Sequence, residues 1–373
     1  MITFQIFSIS ICFLYTLLII WLLRGWNSIA EYKLTKNFDE IFISIIIAFR
    51  NEEKNLPTLF NSLREQTYPI NAHEIIFCDD HSSDKSAELV KKFIASISNS
   101  RLISLDSEMM GKKKALEIAS LEAKGKLLIF TDADCEARRN WVSTIVSFYL
   151  KHKPVLIAGP VIIEPTQGFF NKFQSLEFFS LMGSTAGSFG IQNPVMLNGA
   201  NLAVERDVYF ESIGTLENRS ASGDDIFLLL DLKRKYPKKL MFLKSTDAII
   251  SVKPKNSISE YIHQRLRWVS KSKYYSDPAI IIIALIVLLI NLSILLCIVF
   301  SFFNLYFVIL GLLLFTIKSI VDYLFLRKIL KFFNESRLLR VFVLSQFLYF
   351  LYVSFTGVTG NFLPSNWKGR RVI

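Results

Sequence analysis

Leu127-Leu128-Ile129-Phe130-Thr131-Asp132-Ala133-Asp134 is the stretch from which the fold can be read. An apolar run long enough to be a buried strand stops at two carboxylates separated by one small residue. Burying one unpaired carboxylate is costly, and two side by side cost more unless a cation or ligand lies between them. In an open α/β sheet, ligands collect beyond the carboxyl ends of central strands. The stretch therefore suggests a divalent cation held beside an anionic substrate. The plainer reading is a pair of aspartates in a turn after a strand, and the rest of the chain has to decide.

Outward from this strand, short β-rich runs alternate with amphipathic, charged segments. Ile41–Ala48, Glu74–Cys78, Arg101–Leu105, Lys126–Phe130 and Val155–Ile163 read as strands. Glu52–Gln66, Lys85–Ser96, Lys112–Lys124 and Asn140–Lys151 carry helical spacing between them. Strand–helix alternation with nearly continuous apolar strands predicts an α/β domain with a mostly parallel sheet covered on both faces. Further on, Phe169, Phe173, Leu176 and Phe179 fall on one helical face. That face suits an ordinary core helix, or one resting on a membrane surface or lining a lipid-acceptor groove. The Gly- and Ser-rich stretch Gly183–Asn198 is expected to be mobile.

Both ends of the chain are apolar. Hydrophobic residues make up 51% of the 373 residues, and mean hydropathy is +0.37, which indicates a membrane protein. Phe4–Leu23 is uncharged and about the ~20 residues that a spanning helix needs. Arg24, Lys33 and Lys36 follow it and belong on the cytoplasmic side. No basic residue precedes the run and no small-x-small site follows it, which argues against a cleaved signal peptide. Ala279–Ser301, Phe302–Tyr323 and Val341–Leu363 are three further apolar segments, with a basic loop of Arg327, Lys328, Lys331, Arg337 and Arg340 before the last. Four crossings place the basic tail of Trp367, Lys368, Arg370 and Arg371 outside, against the positive-inside tendency. Either the tail is an exception or one segment lies in the interface or re-enters. The expected organisation is an N-terminal helix with its flank over 1–36, a cytoplasmic α/β domain over 37–276, and a C-terminal membrane region over 277–373.

The net charge of +11 suits cytoplasmic loops and anionic lipid, whereas no nucleic-acid-binding signature is present. Cys12, Cys78, Cys135 and Cys297 make no CxxC pair, and the four histidines are scattered. The pattern points to neither a disulfide framework nor a zinc site, in keeping with a reducing compartment.

Polar residues gather in a few short stretches. Ala48-Phe49-Arg50-Asn51-Glu52-Glu53 follows the first strand, where a strand-to-helix turn can offer N–H groups to a phosphate or base. Cys78-Asp79-Asp80-His81-Ser82-Ser83-Asp84 ends the second; its carboxylates can accept from a nucleobase or ribose, or simply cap a turn. Gly111-Lys112-Lys113-Lys114 opens a helix with positive charge, which opposes the macrodipole unless an anion binds there. A diphosphate would resolve that conflict, and a solvated basic patch is the plainer reading. A hard divalent cation at Asp132 and Asp134 would share those carboxylates with substrate phosphates. Ser222-Gly223-Asp224-Asp225 starts another helix and by itself reads as an N-cap.

Taken together and in order, these stretches resemble the family 2 glycosyltransferases, in the membrane-integrated branch with a GT-A nucleotide-sugar domain. The resemblance covers roughly Ile41 to Trp268. "SIIIAFRNEE" resembles the first nucleotide loop, "IIFCDDHSSD" the base-binding turn, "GKKKALEIA" the lysine segment and "FTDADC" the DXD metal motif. "LNGANLAVERD" resembles the acceptor-side loop, "SGDD" the acidic pair, and Gln264-Arg265-Leu266-Arg267-Trp268 contains QxxRW. What the resemblance implies is a donor site of Ala48, Arg50, Glu52, Asp79, Asp80, Lys112 and Asp132, joined by Gln264, Arg267 and Trp268. It further implies Mg2+ or Mn2+ at Asp134 and Asp132, Asn201 and Asp224 on the acceptor side, and Asp225 as the general base. Asp224 stands where many relatives carry Glu, and Lys113 and Lys114 replace commoner small residues.

The expected activity is inverting transfer of a hexosyl or N-acetylhexosaminyl group from a nucleotide-sugar, with a UDP-sugar first in line. The acceptor is a lipid or lipid-linked molecule in cell-envelope synthesis at a bacterial-type inner membrane. A processive polysaccharide synthase that also translocates its product is the alternative. QxxRW does not separate the two, but three spans after the domain are few for a glycan channel.

Overall fold

A computed structural model describes residues 2–35, 38–216, 224–360, 365–367 and 370–372, with the backbone alone for 214–216, 224 and the two last segments. In chain order, α1 (Ile2–Ser28) is followed by β1 (Ile43–Phe49), α2 (Leu56–Arg64), β2 (His73–Asp79), α3 (Ser86–Ile94) and β3 (Ser100–Ser104). Next come α4 (Lys112–Leu121), β4 (Leu127–Phe130), β5 (Cys135–Ala137), α5 (Trp141–His152), β6 (Leu156–Ala158) and β7 (Val161–Ile163). Then follow α6 (Phe169–Gly190), β8 (Leu202–Glu205), α7 (Arg206–Leu216), α8 (Asp224–Lys235), β9 (Leu240–Phe242) and β10 (Ile250–Val252). The chain closes with α9 (Ile258–Ser270), α10 (Pro278–Ser301), α11 (Tyr306–Phe332), α12 (Phe342–Thr359), β11 (Ser365–Trp367) and β12 (Arg370–Val372).

These elements form two compact units. One comprises Ile29–Glu164 and Gln192–Lys253, the other Met1–Ser28, Pro165–Ile191 and Pro254–Ile373. Although the sequence suggests one domain over 37–276, Pro165–Ile191 and the chain from Pro254 group with the apolar helices.

In the α/β unit, the described residues form a seven-stranded sheet in the order β3-β2-β1-β4-β8-β6-β9 and a three-stranded sheet β5-β10-β7. β1 pairs in parallel with β2 and β4, and β2 with β3, while β8 runs antiparallel to both neighbours. The strands form where β-branched and aromatic residues run together. β1, Ile-Ser-Ile-Ile-Ile-Ala-Phe, is buried at all seven positions, as a central strand covered on both faces should be. α2 starts at Leu56-Pro57, where proline needs no intrahelical N–H partner. Val155–Ile163, expected as one strand, is two strands in different sheets, β6 and β7. Gly159-Pro160 makes the corner, with Gly159 N–H donating to Asn201 O at 2.8 Å.

Among the described residues of the other unit, four helices are long and apolar enough to cross a membrane: Ile2–Ser28, Pro278–Ser301, Tyr306–Phe332 and Ser336–Thr359. α10 is started by Asp277, whose carboxylate accepts from the N–H groups of Ala279 and Ile280. α11 extends to Phe332, so Arg327, Lys328 and Lys331, expected in a loop, lie on its last turns. Inside it, Lys318 donates to Asp322 at 2.6 Å and to Gln346 at 3.0 Å, and Tyr15 donates to Asp322 at 2.6 Å. Pairing of this kind is what a buried charge between apolar helices requires.

Gly183–Asn198, expected to be mobile, begins as ordered helix, because α6 continues to Gly190. Its glycines are there for packing. A Cβ on Gly187 would lie 2.4 Å from the Leu22 carbonyl oxygen, and one on Gly25 would lie 2.0 Å from that of Gly187. The backbones of α1 and α6 therefore approach as closely as small residues permit.

Candidate active site

The carboxyl ends of β1, β2 and β4 lie side by side, fixed by the pairings Phe49–Asp79 and Ile46–Phe130. The loops beyond β1 and β2 are tied to each other. Asn51 N–H donates to Ser82 Oγ at 3.0 Å, and Ser83 N–H returns a bond to Asn51 Oδ1 at 2.8 Å. Glu52 N–H donates to Ser86 Oγ at 2.7 Å, and Glu53 N–H to Asp84 Oδ2 at 3.2 Å. Arg50 crosses between the loops, donating to the Asp80 carbonyl at 3.1 Å. Ala48, just before it, is buried within β1.

The acidic turn after β2 divides its labour. Asp79 Oδ1 accepts from Ser82 N–H at 3.0 Å, closing the turn. Asp80 is 1% exposed, and its Oδ1 accepts from Gly111 N–H at 3.0 Å. Gly111 has φ of +101°, a backbone state that a side chain would strain, and it sits directly before α4. Asp80 therefore aims the start of the lysine helix instead of facing an open site.

Lys112, the first residue of α4, places its ammonium on Asp132 Oδ1. Burial pushes the Lys112 pKa down, but Asp132 first, then Asp225 and Asp134, outweigh it and hold the ammonium above its usual value. Three carboxylates expected from sequence are therefore close enough to act on one lysine. Lys112 and Asp132 remain 37% and 30% exposed, so a ligand can reach them. The helix-start charge that seemed to need an anion has a carboxylate beside it. An arriving diphosphate would compete with Asp132 for that lysine.

Asp134 lies in the next turn, where it lines a small depression with Asn55, Glu136, Glu164 and Lys253. Among the described residues, no three His, Cys, Asp or Glu side chains converge as a ready-made metal site. The donors at hand, Asp132 and Asp134, are hard oxygens, and a magnesium-like ion needs only one or two carboxylates when phosphates and water complete its shell. The residues fit such an ion.

Asp225 stands in the first turn of α8. Its Oδ2 accepts from Gly199 N–H at 3.3 Å and its Oδ1 from Ile226 N–H at 3.0 Å. Asn198 caps the same loop, its Oδ1 accepting from Ala200 N–H at 3.0 Å. The loop expected on the acceptor side thus meets the acidic residue expected to be the base. Asn201 departs from that expectation. It is 1% exposed, accepts from Trp141 Nε1 at 2.9 Å, and donates to the carbonyls of Pro160 and Ala248, each at 2.8 Å. Its amide holds the core together and does not face a substrate. The Asp224 side chain, Ser222 and Gly223 lie outside the described residues.

Gln264, Arg267 and Trp268 belong to the other unit, on α9, where all three are half-buried. Between them, Arg265 is buried and ion-paired with Glu177 on α6. Neither partner stood out in the sequence. Arg265 occupies a variable place inside QxxRW, and Glu177 sits in a phenylalanine-rich run with no motif around it.

Residues 44–214 match the family model for Glycosyl transferase family 2. They belong to that family. The chain is 26% identical over 186 residues to Glycosyltransferase AglE of Haloferax volcanii, covering 50% of this chain and 59% of that protein. It is 31% identical over 142 residues to 4,4'-diaponeurosporenoate glycosyltransferase of Staphylococcus haemolyticus, covering 38% and 36%. The matched stretches thus span less than two thirds of these relatives' own length. Among solved structures, the mannosyltransferase PcManGT from Pyrobaculum calidifontis, in complex with GDP-Man and Mn2+, superposes with a TM-score of 0.59. At 14% identity, covering 95% of this chain and 99% of that one, it shows the fold to be GT-A-like.

Proposed function

We propose that the chain transfers a sugar from a nucleotide-sugar to a hydroxyl of a lipid or lipid-linked acceptor, inverting the anomeric centre. The observation that carries this reading is the half-exposed Lys112–Asp132 ion pair at the strand ends of a family 2 domain, with Asp225 and Asp134 adding to the field at the lysine. The four apolar helices in the same chain support a lipidic acceptor. The relative named for 4,4'-diaponeurosporenoate and the neighbour in complex with GDP-Man are consistent with it.

In this reading the Asp225 carboxylate accepts the proton of the acceptor hydroxyl as its oxygen bonds to the anomeric carbon. The bond from that carbon to the diphosphate breaks, and the nucleoside diphosphate leaves with the electron pair. The hydrogen bond from Gly199 N–H keeps Asp225 aimed while it is unprotonated. Lys112 stabilises charge on the departing diphosphate after exchanging Asp132 for it. Asp79, with Arg50 and Glu52 of the facing loop, reads the base and ribose, and Asp80 holds α4 in place for Lys112. A divalent ion held by Asp134 and Asp132 would neutralise charge on the diphosphate when bound. Gln264, Arg267 and Trp268 are assigned to the diphosphate and acceptor from the sequence resemblance alone.

The test is nucleotide release by the purified full-length protein from UDP-glucose, UDP-N-acetylglucosamine and GDP-mannose, each with Mn2+ and extracted membrane lipid. One donor should turn over, Asp225→Asn should keep its binding and lose transfer by about 10³-fold or more, and EDTA should abolish turnover until Mg2+ or Mn2+ is restored. An Asn variant with normal turnover overturns the base assignment. A ladder of oligomeric products would move the reading to a processive synthase.

A further inference from the structure

In the apolar-helix unit, one buried cluster joins α6, α9 and α12 around a guanidinium. Arg265 and Glu177 are 2% and 3% exposed. Arg265 Nε donates to Glu177 Oε1 at 3.2 Å, its terminal nitrogen donates to Glu177 Oε2, and Tyr352 adds its hydroxyl to the same carboxylate at 3.3 Å. The guanidinium lies between two rings, 4.5 Å from Tyr261 and 4.3 Å from Trp268. Its remaining nitrogen donates to Gln264 Oε1 at 2.7 Å. One planar fork thus binds a carboxylate along one edge, holds an amide oxygen at a corner and lies over an indole ring.

That geometry does more than neutralise a buried charge. A lysine could pair with Glu177, yet it has no planar face for Trp268 and no second, rigidly placed nitrogen for Gln264. With its oxygen engaged by Arg265, Gln264 presents its NH2 end as a donor.

We infer that Arg265, locked by Glu177, is a positioning residue that sets the orientation of Gln264 and Trp268 for the transfer step. The inference rests on the proposed function, in which those two residues serve the diphosphate and acceptor.

The test is a double-mutant cycle in the full-length protein in lipid nanodiscs, using whichever of UDP-glucose, UDP-N-acetylglucosamine or GDP-mannose turns over. Arg265→Lys is expected to lower kcat about tenfold or more while donor KM changes less than about twofold, with the thermal midpoint near that of the parent. Gln264→Ala should show a similar loss, and the double variant should lose little beyond either single one, because both remove the same orientation. Should Arg265→Lys not yield folded protein, Glu177→Asp carries the same cycle, since it keeps the charge and withdraws the carboxylate by one methylene. Parent-like kcat in the Arg265 or Glu177 variant, or losses that multiply in the double variant, overturns the inference. Parent-like turnover in Gln264→Ala instead overturns the role given to Gln264 in the proposed function.

Discussion

Lys112 shows how much one residue's surroundings decide. Its place at a helix start was legible as a charge wanting an anion, but the sequence could not show that Asp132 stands close enough to answer it. Removing the ammonium leaves Asp132, Asp134 and Asp225 to repel each other and the diphosphate. Lys112→Met is therefore expected to lower kcat/KM by about 10²-fold or more, read from steady-state nucleotide release. Two neighbouring cysteines behave in the opposite way. Burial, with Asp79 and Asp80 beside it, pushes the Cys78 thiol up to about 12. Burial, with Asp132 and Asp134 nearby, also holds the Cys135 thiol well above its usual value. A raised thiol pKa means protonated, unreactive sulfur throughout the neutral range. Treatment with N-ethylmaleimide at pH 7.5 should leave turnover unchanged, and mass spectrometry should find both residues unmodified. Asn201 was misjudged from sequence because an asparagine in a polar loop does not reveal whether its amide faces in or out. Since it faces in, Asn201→Ala should lower the thermal midpoint by about 5 °C or more, with acceptor KM little changed in the surviving fraction.

At the level of elements, the central strands were readable because β1, β2 and β4 are nearly continuous apolar runs, and such runs have few ways to be buried. The Val155–Ile163 stretch shows the limit of that reading. Periodicity treats it as one strand, whereas the Gly159-Pro160 corner sends its halves to different sheets. α6 shows a second limit. Glycine and serine in series look like loop composition, and the local sequence does not announce that α1 will press against them. The seam can be tested at Gly187. A methyl group there meets backbone, which cannot rotate away, so Gly187→Ala should cost about 1–3 kcal/mol. Thermal unfolding in nanodiscs reads that cost. A parent-like midpoint would mean that the helices can separate without penalty.

At the scale of the whole molecule, the apolar helices were the plainest signal in the sequence, because length and lack of charge are sufficient to reveal them. Their interior pair was less plain. Lys318 and Asp322 fall near the end of the apolar segment Phe302–Tyr323, and only α11's full length shows them enclosed with Tyr15 and Gln346. The family was legible because short stretches resembling it follow one another in order along the chain, while the arrangement of Arg265 and Glu177 was not, since the two lie 88 positions apart. For the whole chain, turnover is expected to depend on lipid. Nucleotide release in detergent alone should rise when membrane lipid supplies the acceptor, and an unchanged rate would place the acceptor hydroxyl on something other than a lipid.

The cross-tied loops beyond β1 and β2 bear on redesign. Asn51, Glu52 and Glu53 reach into Ser82–Ser86, and Arg50 and Asp80 link both loops onward to Gly111. A chimera that imports only one of these loops from a relative with another nucleotide preference would leave several backbone N–H groups without acceptors. In the proposed reading, the smallest portable cassette for donor swapping is both loops together with the first turn of the lysine helix.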